Sequence, residues 1–140
     1  MASGVKVDPE VATVFQDLKL KHTYRYVIFQ LNSDNTMIVI TKKADPSATY
    51  DEFLAELPPN DCRYAVYDLA YDTPESGKRE KLVFFAWAPN ESKIKQKMLY
   101  ASSKDALKAG LVGLHAEIQA TDASEVDYSY IIEKLSSRDR

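Results

Sequence analysis

The sequence predicts a mixed α/β fold of the α+β kind: one five-stranded mixed sheet with helices on both faces. Three observations predict it. Apolar residues recur with period 3.6 in some segments and as short strand-like runs in others, and the two kinds interleave along the chain. The segment Val83–Ala88 is continuously apolar, as a strand covered on both faces must be. The chain has 140 residues, 45% of them hydrophobic and 28% charged. That suits one domain with a real core, residues 1–140, and is too short for two comfortable ones.

Residues 1–7 read as a flexible N-terminal segment. In "DPEVATVFQDLKL", Asp8 is placed to N-cap a helix with Pro9 at its first position, and Val11, Val14, Phe15 and Leu18 supply the i, i+3, i+4, i+7 stripe. "YRYVIFQL" and "MIVIT" are strands joined by the turn residues "NSDN". Thr49 and Glu52 form a capping-box pair opening "YDEFLAEL", which stops before Pro58 and Pro59. "RYAVYDLAY" and "KLVFFAWA" are two more strands, with "DTPESGKRE" as the turn between them. A lysine-rich helix follows, capped by Asn90 after Pro89, and "LHAEIQA" is a short fifth strand. Ser124 opens a last helix that runs through Leu135.

No apolar run reaches the roughly 18 residues of a membrane span. "MASGVKVDPE" lacks the apolar core of a secretory signal, Ala2 excludes a Met-Gly acylation start, and the single cysteine, Cys62, forms no internal disulfide. These features predict a cytoplasmic protein. Cys62, His22 and His115 stand in no metal-ligand or nucleophile spacing, and the four glycines form no phosphate loop. The expectation is a protein without catalytic residues, metal or cofactor.

The lysine helix carries the functional signal. Lys93 to Lys108 holds five lysines and one aspartate, a local +4 on a chain of net charge −3. A basic element on an acidic protein suggests an anionic partner surface, although charge runs commonly mean only solvation. Taking Ile94 as zero and about 100° per residue, Leu99, Tyr100, Ser103, Ala106, Leu107, Gly110 and Leu114 fall between roughly 120° and 240° and form the packed face. Opposite lie Ile94, Met98, Ala101 and Asp105, with Lys95 on one shoulder and Lys97, Lys104 and Lys108 on the other. Leaving an isoleucine and a methionine in water forgoes about 1.5–3 kcal/mol each. An apolar ridge between lysines fits an apolar groove with an acidic rim.

"KMLYASSKDALK", preceded by "FFAWAP" and "LPPNDCRYAVYDL", resembles the actin-depolymerising factor/cofilin family. The similarity covers nearly the whole chain, from "ASGV" through "DLKL", "YDEFLAELP" and "EIQATDASEV" to the last helix. The resemblance implies the actin-depolymerising-factor homology fold, with the long helix inserted into the apolar cleft between two actin subdomains. It assigns Lys95, Lys97 and Met98, with Ile94, Lys104, Asp105 and Lys108 on the same helix, to contacts with both monomers and filaments. Ala109 replaces a basic residue of many members. Ser3 and Gly4 match the N-terminal segment that touches actin, and Ser3 matches its phosphorylation site. Arg79 and Lys81 on the turn, with Glu133, Lys134 and Arg138 on the last helix, match the filament-only surface, where Glu80 and Ser137 depart from the pattern. Some pH-sensitive members carry a histidine one residue beyond His115, on the other face of the strand, so that role is not transferred.

The implied function is a non-enzymatic, monomeric actin regulator. It would bind actin monomers and filament sides, prefer ADP-actin, slow nucleotide exchange, and sever and depolymerise filaments. Anionic phosphoinositides would compete through Lys95 and Lys97. Its place would be the cytoplasmic actin cytoskeleton, with the nucleus as a second compartment. A coactosin-like filament binder, or a glia-maturation-factor-like ligand of the actin-related nucleation complex, would keep the fold without severing. Nucleic-acid binding is disfavoured because the lysine helix lacks arginines and the chain lacks a basic overall field.

Overall fold

Phe84 and Phe85 lie next to each other in sequence and are both buried, one under each of two separate cores. Such burial requires a sheet covered on both faces, and the computed structural model, describing residues 4–73 and 77–138, has this form. The strands are β1 (Lys6–Val7), β2 (Tyr26–Leu31), β3 (Met37–Ala44), β4 (Arg63–Thr73), β5 (Gly77–Trp87) and β6 (Ala116–Ala120). They are ordered β1-β3-β2-β4-β5-β6, with β1 parallel to β3, β6 parallel to β5, and the inner pairs antiparallel.

Helices α1 (Glu10–Lys21) and α3 (Ile94–Ala109) cover one face. There Val11, Val14, Phe15 and Leu18 of α1, with Tyr100 and Leu107 of α3, pack on Val27, Phe29, Val66, Leu82 and Phe84. Helices α2 (Tyr50–Ala55) and α4 (Tyr128–Arg138) cover the other, with Phe53, Ile131 and Leu135 against Tyr26, Tyr67, Leu69 and Phe85. Phe53 meets Tyr26, Tyr67 and Phe85 at ring-centroid distances of 5.3, 5.1 and 4.9 Å. The capping box of α2 is formed: Glu52 N donates to Thr49 Oγ1 at 3.2 Å, and Thr49 N to Glu52 Oε2 at 2.8 Å.

Several expectations need correction. The sheet has six strands, because Lys6 and Val7, within the segment expected to be flexible, pair with Met37 and Ile38. A two-residue strand has no periodicity to read. Helix α1 begins at Glu10, and the Asp8 carboxylate accepts the Glu10 N–H at 2.9 Å from outside the helix. Strands β4 and β5 extend to Thr73 and back from Gly77, so the turn expected over Asp72–Glu80 is largely ladder. The β5 half of this ladder is polar even where it pairs with buried Tyr71, and those side chains concealed the strand. β6 starts at Ala116 rather than Leu114. The last helix is preceded by a 3₁₀ turn, Ala123–Val126, capped by Asp122 rather than opened by Ser124.

Candidate functional site

Helix α3 starts without a side-chain cap, at Lys93 rather than Asn90, after a turn closed by Ser92 N donating to Pro89 O at 3.0 Å. It stops at Gly110, where Leu111 N donates to Lys108 O at 2.9 Å. The chain then reaches Gly113, at φ 106°, where a Cβ would lie 2.7 Å from Lys19 Nζ. Lys19 Nζ donates to Val112 O at 2.9 Å, so α1 holds this exit and glycine is needed in it.

Tyr100, Ser103 and Leu107 are the buried residues of α3, with Leu99 half-buried. Ala106 and Gly110, expected on the packed face, are exposed. The packed face is therefore centred roughly 40° further round the helix than the apolar pattern indicates. Polar anchors account for the rotation. The Tyr100 hydroxyl accepts the buried Leu31 N–H at 3.0 Å, the Tyr64 hydroxyl donates to Tyr100 O, and the two rings lie 4.8 Å apart. On the adjoining side, Lys104 Nζ donates to Glu117 Oε2 at 2.7 Å and Lys108 Nζ to Glu117 Oε1.

The rotation leaves the outward ridge in place. Ile94 is 72% exposed and Met98 66%, and Ala101 and Asp105 continue the line in solvent. The two lysine shoulders are unequal. Lys95 is exposed. Lys97 is half-buried and its ammonium donates to Asn90 O at 3.3 Å, while Lys104 and Lys108 are half-buried on Glu117. Burial of the Glu117 carboxyl opposes its charge, but the hydrogen bonds from Lys104 and Lys108 outweigh that and hold it below its usual range. Glu117 has no signal in the sequence, since only the register of β6 beside β5 brings it beneath α3.

The second set of residues lies elsewhere. Arg79 and Lys81 are in β5, opposite Tyr71 and Leu69 of β4, and so point to the face covered by α4. Glu133 and Lys134 are exposed on α4, Lys134 Nζ sits 5.8 Å from the Tyr130 ring centre, and Arg138 ends that helix. Arg79 is half-buried, and its Nε has no hydrogen-bond partner among the described residues. From Arg79 to Trp87, beside the start of α3, is about 25 Å of strand. Arg79 and the start of α3 thus lie towards opposite ends of β5, and the two sets belong to opposite faces of the sheet. Gly4 is described, at φ 84°, whereas Ser3 lies outside the described residues.

The residues that could suggest other chemistry are dispersed. Cys62 is buried, and burial raises its thiol pKa although Ser92 works against this. His22 Nδ1 pairs with Asp68, and His115 Nδ1 accepts the Leu82 N–H at 2.8 Å. Among the described residues no group of three or more His, Cys, Asp or Glu side chains could hold a metal ion, and no helix is long and apolar enough to cross a membrane.

Comparison with known proteins agrees with this geometry. Residues 4–136 match the family described as cofilin/tropomyosin-type actin-binding protein. A cofilin of Mycosarcoma maydis is 52% identical over 136 residues, covering 97% of each chain. Actophorin of Entamoeba histolytica is 49% identical, covering 96% of this chain and 97% of its own. The crystal structure of Streptomyces griseoflavus cofilin superposes with a TM-score of 0.89 at 49% identity, over 96% of this chain and 98% of that one.

Proposed function

The chain belongs to the cofilin/actin-depolymerising factor family, and we propose that it is an actin-binding regulator of filament turnover that docks through the ridge of α3. The observation that carries this reading is the exposure of Ile94 and Met98 on a helix whose other side is firmly anchored. Apolar side chains in water are available to a partner at no cost in broken contacts, and each contributes when the partner's groove desolvates it. Lys95 and Lys97 flank the ridge and suit an acidic rim, which would speed encounter and fix register more than it would add affinity. In this reading Ser3 and Gly4 also contact actin, and Asp105, Lys104 and Lys108 border the far end of the ridge.

Arg79, Lys81, Glu133, Lys134 and Arg138 form a second surface for the neighbouring protomer of a filament. Two surfaces on opposite faces of the sheet can touch two subunits at once, whereas a monomer engages only the ridge. Severing then needs no catalytic group. Binding that favours an altered filament twist shifts the subunits it covers, and strain collects where covered and bare segments meet. Tighter binding to ADP-actin than to ATP-actin would, by linkage, hold ADP on the monomer and so slow exchange. Anionic phosphoinositides compete by occupying Lys95 and Lys97. The protein acts as a monomer in the cytoplasm, at the actin cytoskeleton, and can follow actin into the nucleus.

The experiment is cosedimentation with filaments across a range of concentrations, paired with microscopy of single filaments and with nucleotide release from ADP-actin monomers. Saturable pelleting with filament breakage and slowed release is expected. Pelleting without breakage would leave a filament binder only, and no pelleting would defeat the proposal.

A further inference from the structure

The four lysines of α3 look equivalent in sequence, but the fold divides them. Lys95 stands in solvent beside the ridge. Lys104 and Lys108, one turn apart, converge on a single acceptor from another element, the Glu117 carboxylate of β6. The Lys104, Lys108 and Glu117 side chains are only 20%, 33% and 26% exposed, and Gln119 Nε2 adds a third donor to Glu117 at 3.2 Å. Charge-assisted hydrogen bonds in a partly covered site are stronger and less screened than surface ion pairs.

We infer that Glu117 is the residue that decides which lysines of α3 an acidic partner can use: it retains Lys104 and Lys108 within the domain and confines charge recognition to the N-terminal half of the helix. A partner carboxylate that drew either lysine outward would strip a half-buried carboxylate of its cation. The exchange would return little, because one ion pair is broken for each one made. Lys95 makes no such exchange. The C-terminal half of α3 therefore serves the interface through its position on the sheet, and the N-terminal half serves it through charge. This inference rests on the actin reading above for the identity of the acidic partner, but not for the retention itself.

The test has two arms. Glu117→Gln keeps the shape of the side chain and removes the charge. At low ionic strength the folded variant should bind actin monomers about two- to fivefold more tightly for each lysine released. Its affinity should fall more steeply with salt than that of the wild type, and the two should converge at high salt. Unchanged or weaker binding with an unchanged salt slope would overturn the inference. The second arm needs no actin: acetylation of lysines with a small activated ester, followed residue by residue by mass spectrometry. In the wild type Lys104 and Lys108 should react several-fold more slowly than Lys95, and in the variant they alone should accelerate. Equal rates for the three lysines in the wild type would overturn the inference by themselves, and this ratio decides the matter if the variant does not fold. Wild-type protein that shows the protected pair yet fails to bind actin would defeat the actin reading and leave the retention standing.

Discussion

His22 Nδ1 lies 2.7 Å from Asp68 Oδ2, which ties the residue that closes α1 to the middle of β4. His22 holds the left-handed backbone, φ 53°, a conformation unfavourable for a residue with a Cβ, and the contact to a buried carboxylate holds it there. The Asp68 hydrogen bond, and then its charge, raise the His22 pKa above 6.5. A raised folded-state pKa gives stability that is fully present below the unfolded value of 6.5 and is lost as pH rises through the folded value. His115 opposes it: burial and then Lys81 lower its pKa, so its penalty develops as pH falls below 6.5 through its folded value.

Comparing wild type with His22→Gln therefore isolates the first effect. The melting temperature of the wild type should exceed that of the variant most clearly below pH 6.5, above the range where carboxylates protonate. The gap should narrow as pH rises towards about 9, where an ordinary histidine is neutral. A gap independent of pH would contradict the assignment.

Tyr100→Phe should cost about 1–3 kcal/mol in urea denaturation, because it leaves the buried Leu31 N–H without its acceptor. The loss should also loosen the rotation of α3, so actin affinity should fall with stability. A variant as stable as the wild type would show that another group satisfies Leu31.

What the sequence reveals and what it conceals differ by physical cause. The ridge is legible because Ile94 and Met98 break the rule that large apolar residues on a charged helix face inward. The packed side is legible only approximately. Apolar periodicity favours Ala106 and Gly110, whereas the observed rotation follows a tyrosine hydroxyl and two lysines whose partners, Leu31 and Glu117, belong to other elements. Hydrogen bonds between remote elements leave no periodic trace. The placing of Arg79 and Lys81 on a turn fails for a related reason: β5 is polar from Lys78 to Lys81 although its β4 partners Leu69 and Tyr71 are still core, and those polar residues read as loop.

Lys81→Ala should reduce filament binding and severing while sparing monomer affinity, since Lys81 points to the face of the sheet covered by α4 and the ridge stands on the helix that covers the other. Arg79→Ala should do the same with some loss of stability, because the half-buried stem of Arg79 also packs. Equal losses for monomer and filament would show that the hairpin and the ridge form one site.

Ser3→Asp should weaken monomer and filament binding alike at an unchanged melting temperature, and more so at low salt. Ser3 precedes β1 in sequence, so the substitution alters no residue of the described strands and helices. Phosphate at this position adds roughly −1.5 to −2 charges, which an acidic partner would repel. Identical monomer affinities for variant and wild type at low ionic strength would remove the switch.

The central claim is that the exposed ridge of α3 is the surface that actin covers. It is tested most directly by the affinity of folded Ile94→Ser, Met98→Gln protein for actin monomers. Both side chains stand mostly in solvent, so the double variant should keep its stability within about 0.5 kcal/mol per site. Its affinity should fall at least tenfold, as expected when two anchors worth more than about 1 kcal/mol each are removed. Wild-type affinity in a variant of wild-type stability would contradict the account.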